Sequence, residues 1–278
     1  MDRVLGPELL CLAMAVAGRD DAQRLRPRRR HRRGPGDGLG GCEGFEQRVR
    51  VALAQPVTIC LVTDRRQLSP HARTAREEVT ALAHWLEEAV AAGVDLIHLR
   101  ERDLPASLLC ELARAVGAAA RGSNTRVVVN DRADVAQAAG CDGVHLPGDG
   151  LPVARVRALG GRPDATWMVG RSVHTVEEAR AHADADYLLF GAVFASGPKP
   201  GRGVDALREV VAAVPGAVIA IGGLTAPRAA ECLTAGAAGV AAIRLFLPPG
   251  RAADAVGITT AVSQLRLAFD AAATGHLE

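Results

Sequence analysis

Aromatic residues are scarce: Phe, Trp and Tyr together make up 3% of 278 residues, and Tyr187 is the single tyrosine. The core must therefore be built from Ala, Val, Leu and Ile, and there are too few rings for a stacking platform on single-stranded nucleic acid. Lysine is rarer still, because Lys199 stands alone among 33 basic residues. The six cysteines (Cys11, Cys42, Cys60, Cys110, Cys141 and Cys232) include no CxxC pair and no zinc-ligand spacing. That pattern points to reduced thiols in a cytoplasmic protein rather than a disulfide scaffold. No membrane partner is expected, since the apolar stretch over residues 5–18 is shorter than a bilayer requires and is broken by Pro7 and Glu8.

Charge is unevenly placed. The whole chain carries +2, but residues 1–55 hold 11 arginines and 7 acidic residues, so the remainder is slightly acidic. Seven of those arginines fall between Arg24 and Arg33, directly before a Gly-rich run (Gly34 to Gly41). Like charges repel and glycine buries nothing, so residues 1–55 read as a disordered basic tail outside the folded domain. Without that tail, residues 56–278 have no broad basic surface for nucleic acid.

From Val57 onward the sequence alternates β-branched runs with Ala-rich amphipathic stretches. Strands are expected over 57–62, 95–99, 126–129, 143–146, 166–169, 187–190, 217–221 and 239–243. Helices are expected over 74–92, 105–121, 132–139, 152–159, 176–183, 204–213, 227–235 and 252–272. Eight β-α units in about 220 residues fit a single α/β (β/α)8 TIM barrel over 56–278. The first strand is followed by Thr63-Asp64-Arg65-Arg66 instead of a GxGxxG turn, which excludes a dinucleotide site at that position.

Barrel chemistry gathers at the C-terminal ends of the strands. His98, Arg100 and Arg102 alternate along one side of strand two, where two guanidiniums can hold a phosphate or diphosphate. The rival reading pairs those arginines with Glu101 and Asp103. Asn130 and Asp131 end strand three and Asp149 follows strand four. Two carboxylates there suit Mg2+ shared with substrate phosphates, although Asp131 also reads as a helix N-cap. Gly222 and Gly223 open a turn into a helix beginning at Pro227, an arrangement that can cradle an anion. His174 is a candidate acid/base group. Ser172, Ser196, Lys199, Arg202 and Arg244 complete a polar rim.

Six strings in this order and spacing resemble the thiamine phosphate synthase and thiazole tautomerase (TenI-like) family over roughly residues 59–246. They are His98-Leu99-Arg100-Glu101-Arg102-Asp103, Asn130-Asp131-Arg132-Ala133-Asp134-Val135-Ala136 and Gly143-Val144-His145-Leu146 with Asp149, then Gly170-Arg171-Ser172-Val173-His174, Phe190-Gly191-Ala192-Val193-Phe194 and Ala220-Ile221-Gly222-Gly223-Leu224-Thr225. The synthase resemblance implies coupling of an aminopyrimidine methyl diphosphate to a thiazole phosphate, with release of diphosphate. It assigns Arg100, Asn130 and Lys199 to the diphosphate, Asp131 and Asp149 to Mg2+, Ser172 to the reacting centre and the Gly223 backbone to the thiazole phosphate. The tautomerase resemblance implies a metal-free proton shift on a thiazole carboxylate phosphate, with His174 as acid/base. His98, Arg102 and Arg202 look closer to that branch.

The chain departs from the synthase pattern at His98 (usually Gln), Arg102 (usually Lys), Ala195-Ser196-Gly197-Pro198 (a Thr-rich loop) and Arg244 (a Ser). Both activities stay open, as does a non-catalytic barrel that binds thiazole phosphate. The partners expected are small phosphorylated molecules, and a homo-oligomer is compatible with the sequence.

Overall fold

Alternation along each strand decides which side chains face the barrel axis and which face the helices. In the computed structural model, residues 57–159, 167–198, 200–247 and 255–274 are described. The basic tail and Lys199 lie outside them. The elements run β1 (Thr58–Val62), α1 (Arg65–Leu68), α2 (Ala75–Ala91), β2 (Leu96–Leu99), α3 (Ala106–Ala120) and β3 (Arg126–Asn130). They continue through α4 (Ala133–Ala139), β4 (Gly143–Leu146), α5 (Val153–Leu159), β5 (Met168–Val173), α6 (Val176–Ala181) and β6 (Tyr187–Gly191). The last are α7 (Val204–Ala213), β7 (Ala217–Ile221), α8 (Ala226–Thr234), β8 (Gly239–Ala242) and α9 (Ala255–Thr274). Neighbouring strands pair in parallel, and β8 pairs with β1 to close the barrel.

Outward-facing Ile59, Leu61, Ile97, Leu99, Val127 and Val129 pack beneath the helices. The inward set is smaller, comprising Cys60, Val62, Leu96, Val128, Tyr187, Leu189, Ile219 and Ala241. Helix α2 shows how the outer layer forms. Thr74 caps it by accepting the Glu77 N–H at 3.2 Å, and Val79, Leu82, Trp85, Leu86 and Ala89 recur on its buried face. Each large apolar side chain so buried contributes about 1.5–3 kcal/mol.

Two local features differ from the sequence expectation. Strand β5 extends through Val173 instead of ending near Val169. Gly170 interrupts the apolar run, but the strand continues because the Tyr187 ring occupies the space a side chain at 170 would need: a Cβ there would lie 2.1 Å from Tyr187 Cζ. Residues 171–173 are therefore strand, not turn. Asp64, in the turn after the first strand, is the N-cap of the short helix α1, with its side chain accepting from Gln67 N.

At the opposite end, an aspartate directly before an even strand repeatedly accepts an N–H from the strand before it. Asp95 takes Ile59 N at 2.7 Å, Asp142 takes Val127 N at 2.7 Å, and Asp186 takes Val169 N at 2.6 Å. The fourth equivalent position is Ala238. Asp95 also holds Arg266 of α9 at 2.7 and 2.8 Å, tying the last helix to the first strand. Charge-assisted hydrogen bonds of this kind are each worth about 1.5–3 kcal/mol. Asp95→Ala should therefore lower Tm by roughly 5–10 °C, read by calorimetry, without moving the residues at the other rim.

Candidate active site

At the C-terminal rim, inward side chains from successive strands line one cavity of about 1580 Å³. His98, Arg100, Arg102, Asn130, Asp149, Ser172, His174, Ser196, Arg202, Gly222 and Gly223 all reach it. Residues as far apart as 98 and 223 thus converge, as the sequence expectation requires. Asp131 is exposed beside β3, outside the cavity lining.

The charges just after β2 are sorted by a residue from the turn after β1. Arg65 is buried and clamps three carboxylates. Its Nε meets Glu78 at 2.7 Å, while Nη1 meets Glu101 at 3.0 Å and Asp103 at 2.7 Å. Its backbone N–H also donates to Glu101 at 3.0 Å. Arg65 holds the Asp103 carboxyl down at about 2, whereas burial pushes Glu101 upward. With both acids engaged on the outer side, Arg100 and Arg102 make no ion pair among the described residues. The rival pairing of these arginines with Glu101 and Asp103 is therefore not formed. Burial, then the nearby Arg102 charge, lowers the pKa of half-buried Arg100. A desolvated guanidinium beside a like charge calls for an anion.

Asn130 Oδ1 accepts from His98 Nε2 at 3.2 Å. After it the chain turns sharply: Asp131 has φ 61°, and Arg132, not Asp131, is the N-cap of α4, with no side-chain cap bond. The cap reading of Asp131 is thereby corrected. The Asp149 loop is pinned from β5, because Arg171 donates to the carbonyls of Leu151 (2.7 Å), Gly148 (2.8 Å) and Gly150 (3.1 Å). Burial lowers the pKa of Arg171 against the pull of the Asp184, Asp149 and Asp131 charges. Among the described residues no three His, Cys, Asp or Glu side chains converge into a metal cage.

The barrel floor beneath is polar. His98 and His145 stack with centroids 4.4 Å apart. Burial depresses both, His98 to about 3 and His145 well below its usual range, so both imidazoles are neutral. At the mouth, His174 Nδ1 lies 2.5 Å from the Gly191 carbonyl oxygen. A carbonyl can only accept, so Nδ1 carries a proton, and any lone pair of the ring is on Nε2.

Across the cavity, Gly222 and Gly223 take φ 106° and 61°, and a Cβ on Gly223 would lie 2.5 Å from Ala195 O. Only glycine turns there, immediately before helix α8, where backbone N–H groups and the helix dipole favour an anion. Arg228 in the first turn of α8 donates to Gly223 O at 2.8 Å and sits 4.8 Å over the Phe194 ring. Arg244 Nη2 donates to Ser196 Oγ at 2.7 Å, which joins the β6 and β8 loops over this turn.

This rim, with a cationic patch just after β2 and a glycine turn before α8, lies within a stretch of the chain that matches a known family. The "Thiamine monophosphate synthase" family profile matches residues 60–246. The chain belongs to the thiamine monophosphate synthase family. It is 43% identical to the thiamine-phosphate synthase of Anaeromyxobacter dehalogenans over 189 residues, covering 66% of this chain and 81% of the relative. It is 42% identical to the thiamine-phosphate synthase of Methanoregula boonei over 161 residues, 56% of this chain and 73% of the relative. A solved thiamine phosphate pyrophosphorylase from Pyrococcus furiosus superposes with TM-score 0.64 at 27% identity, covering 81% of this chain and 98% of that one.

Within this family barrel, sequence reasoning placed Arg171 at a strand end without giving it a role, and missed Arg65, Tyr187 and Arg228. Arg171 and Tyr187 had a signal, since each lies on a strand in a run of otherwise small or apolar residues. Arg65 had none, because its partners lie 13 to 38 positions away along the chain. No described helix is long and apolar enough to cross a membrane.

Proposed function

We propose that this protein is a thiamine-phosphate synthase, coupling an aminopyrimidine methyl diphosphate to a thiazole phosphate with release of diphosphate. The observation that carries this reading is the pair of anion sites facing one cavity: Arg100 and Arg102 just after β2, without an ion pair among the described residues, and the Gly222-Gly223 turn before α8. A transferase joining two phosphorylated molecules needs both at once. In this reading Arg100, Asn130 and Lys199 hold the diphosphate, with Arg102 beside them. The Gly223 backbone, Ser196, Arg202 and Arg244 hold the thiazole phosphate, and His98 and Ser172 lie nearest the reacting carbon. The C–O bond to diphosphate breaks as the thiazole nitrogen bonds to the methylene carbon, and the guanidiniums stabilise the charge accumulating on the leaving oxygens.

In this reading Asp149, at the cavity, and Asp131, exposed beside β3, would hold Mg2+, because this ion takes one or two carboxylates and completes its shell with water and substrate phosphates. When bound, Mg2+ would neutralise charge on the departing diphosphate.

A second reading has one specific observation in its favour. The Nδ1–H bond of His174 to Gly191 O leaves Nε2 as a base at the cavity mouth, which a thiazole tautomerase would use. The two separate under chelation and substitution. As a synthase, the protein should lose coupling at least tenfold with EDTA or Asp131→Asn, while His174→Ala keeps most of it. Loss of thiazole isomerisation in His174→Ala, with EDTA harmless, would establish the tautomerase instead.

A further inference from the structure

The only tyrosine of the chain is spent inside the barrel, under the cavity floor. Tyr187 is 4% exposed, and its ring fits because residue 170 is glycine: a Cβ there would lie 2.4 Å from the phenol oxygen. The phenol oxygen lies 3.1 Å from His145 Nδ1, and His145 Nε2 lies 2.8 Å from Ser172 Oγ. Ser172 in turn lines the cavity. Three polar groups thus form a file from the barrel interior to the substrate space.

Counting donors and acceptors gives the file a direction. His145 is the only hydrogen-bond partner of the Tyr187 phenol among the described residues. If Nδ1 carried the imidazole proton, the phenol oxygen would have to accept it, and its own buried O–H would be left without an acceptor. A stranded buried donor is costly, about 1–3 kcal/mol. With the phenol donating instead, Nδ1 is the acceptor and the single proton of the neutral ring sits on Nε2. That N–H donates to Ser172 Oγ, whose own proton then turns toward the cavity. A doubly protonated ring would strand the phenol O–H in the same way and would add a buried charge with no carboxylate bonded to it among the described residues.

We propose that Tyr187 and His145 are positioning residues that fix Ser172 as a hydrogen-bond donor to an anionic oxygen of the bound phosphorylated substrate. The identity of that substrate rests on the synthase reading, whereas the tautomer and the direction of the serine proton do not. Tyr187→Phe keeps the ring and deletes the donor. Nδ1 then loses its reason to stay unprotonated, and Ser172 can donate to Nε2 instead of to the substrate.

The test combines long-range 1H–15N NMR of the imidazoles with kinetics. In the intact protein without ligand, His145 should show a protonated Nε2 and an unprotonated Nδ1. In Tyr187→Phe the signal should move toward the Nδ1–H form, and kcat should fall by roughly tenfold to a hundredfold with KM for both substrates little changed. In a Ser172→Ala background the same tyrosine substitution should cost no further kcat, because its effect passes through the serine. An Nδ1–H tautomer in the intact protein overturns the proposal even if the variant fails to fold. So does a tautomer unmoved by Tyr187→Phe, or a full additional loss of kcat in the Ser172→Ala background. Absence of coupling by the intact protein would count against the synthase reading alone, and the tautomer measurement would still decide this one.

Discussion

Arg100→Met should lower kcat/KM for coupling by about 10²–10³ while leaving Tm unchanged or raised. The activity loss follows from removing a guanidinium aimed at departing negative charge in a partly dehydrated cavity, where one such donor is worth that much. The stability result has the opposite sign for a physical reason. Burial and the Arg102 charge both disfavour the Arg100 cation in the folded protein; the opposing pull of the Asp64 and Glu101 charges is weaker, and neither forms an ion pair with it. Replacing it with an apolar side chain of similar length removes that penalty, as expected where function costs stability. The paired readout is steady-state kinetics with calorimetry. A fall in Tm together with unchanged kinetics would mean that Arg100 serves packing and not the ligand.

Arg65→Ala should be the most damaging single substitution away from the cavity lining, lowering stability by about 3–5 kcal/mol and Tm by roughly 10 °C or more. Its removal leaves Glu101, 5% exposed, as a buried carboxylate without its cation. The deficit should narrow as pH falls from 8 toward 5. Burial already raises the Glu101 pKa in the intact protein, and an acid with a folded pKa above its unfolded value gains folded-state stability as it takes up a proton. Activity should also fall, because acids released from Arg65 become free to pair with Arg100 and Arg102. Thermal melts at several pH values, with kinetics below Tm, check both effects. A loss independent of pH would place the damage in packing rather than in the freed carboxylate.

These two results share one cause, which the sequence shows only in part. Alternation along His98-Leu99-Arg100-Glu101-Arg102-Asp103 was enough to put the arginines on one side and the acids on the other. It could not show that Arg65 takes up the acids, because the clamp is assembled by the closure of β1 against β2. The eight β-α units were likewise legible from periodicity, since continuous apolar strands and amphipathic helices leave a strong local signature. The end of β5 was not, because Gly170 looks like a break until Tyr187 is seen to fill its place. Asp131 misread as a cap for a similar reason. Asx residues favour caps in general, but here the backbone turns left-handed one residue earlier and puts Arg132 at the helix start. The glycine turn at 222–223 was legible as an anion site, whereas Arg228 beside it required the fold.

The measurement closest to the central claim mixes the purified protein with aminopyrimidine methyl diphosphate and thiazole phosphate in the presence of Mg2+. Thiamine phosphate and free diphosphate are then followed together. The account predicts that the two appear in equal amounts and that both vanish when either substrate is left out. Diphosphate released without thiamine phosphate, or no product from a folded protein at saturating substrates, would contradict it.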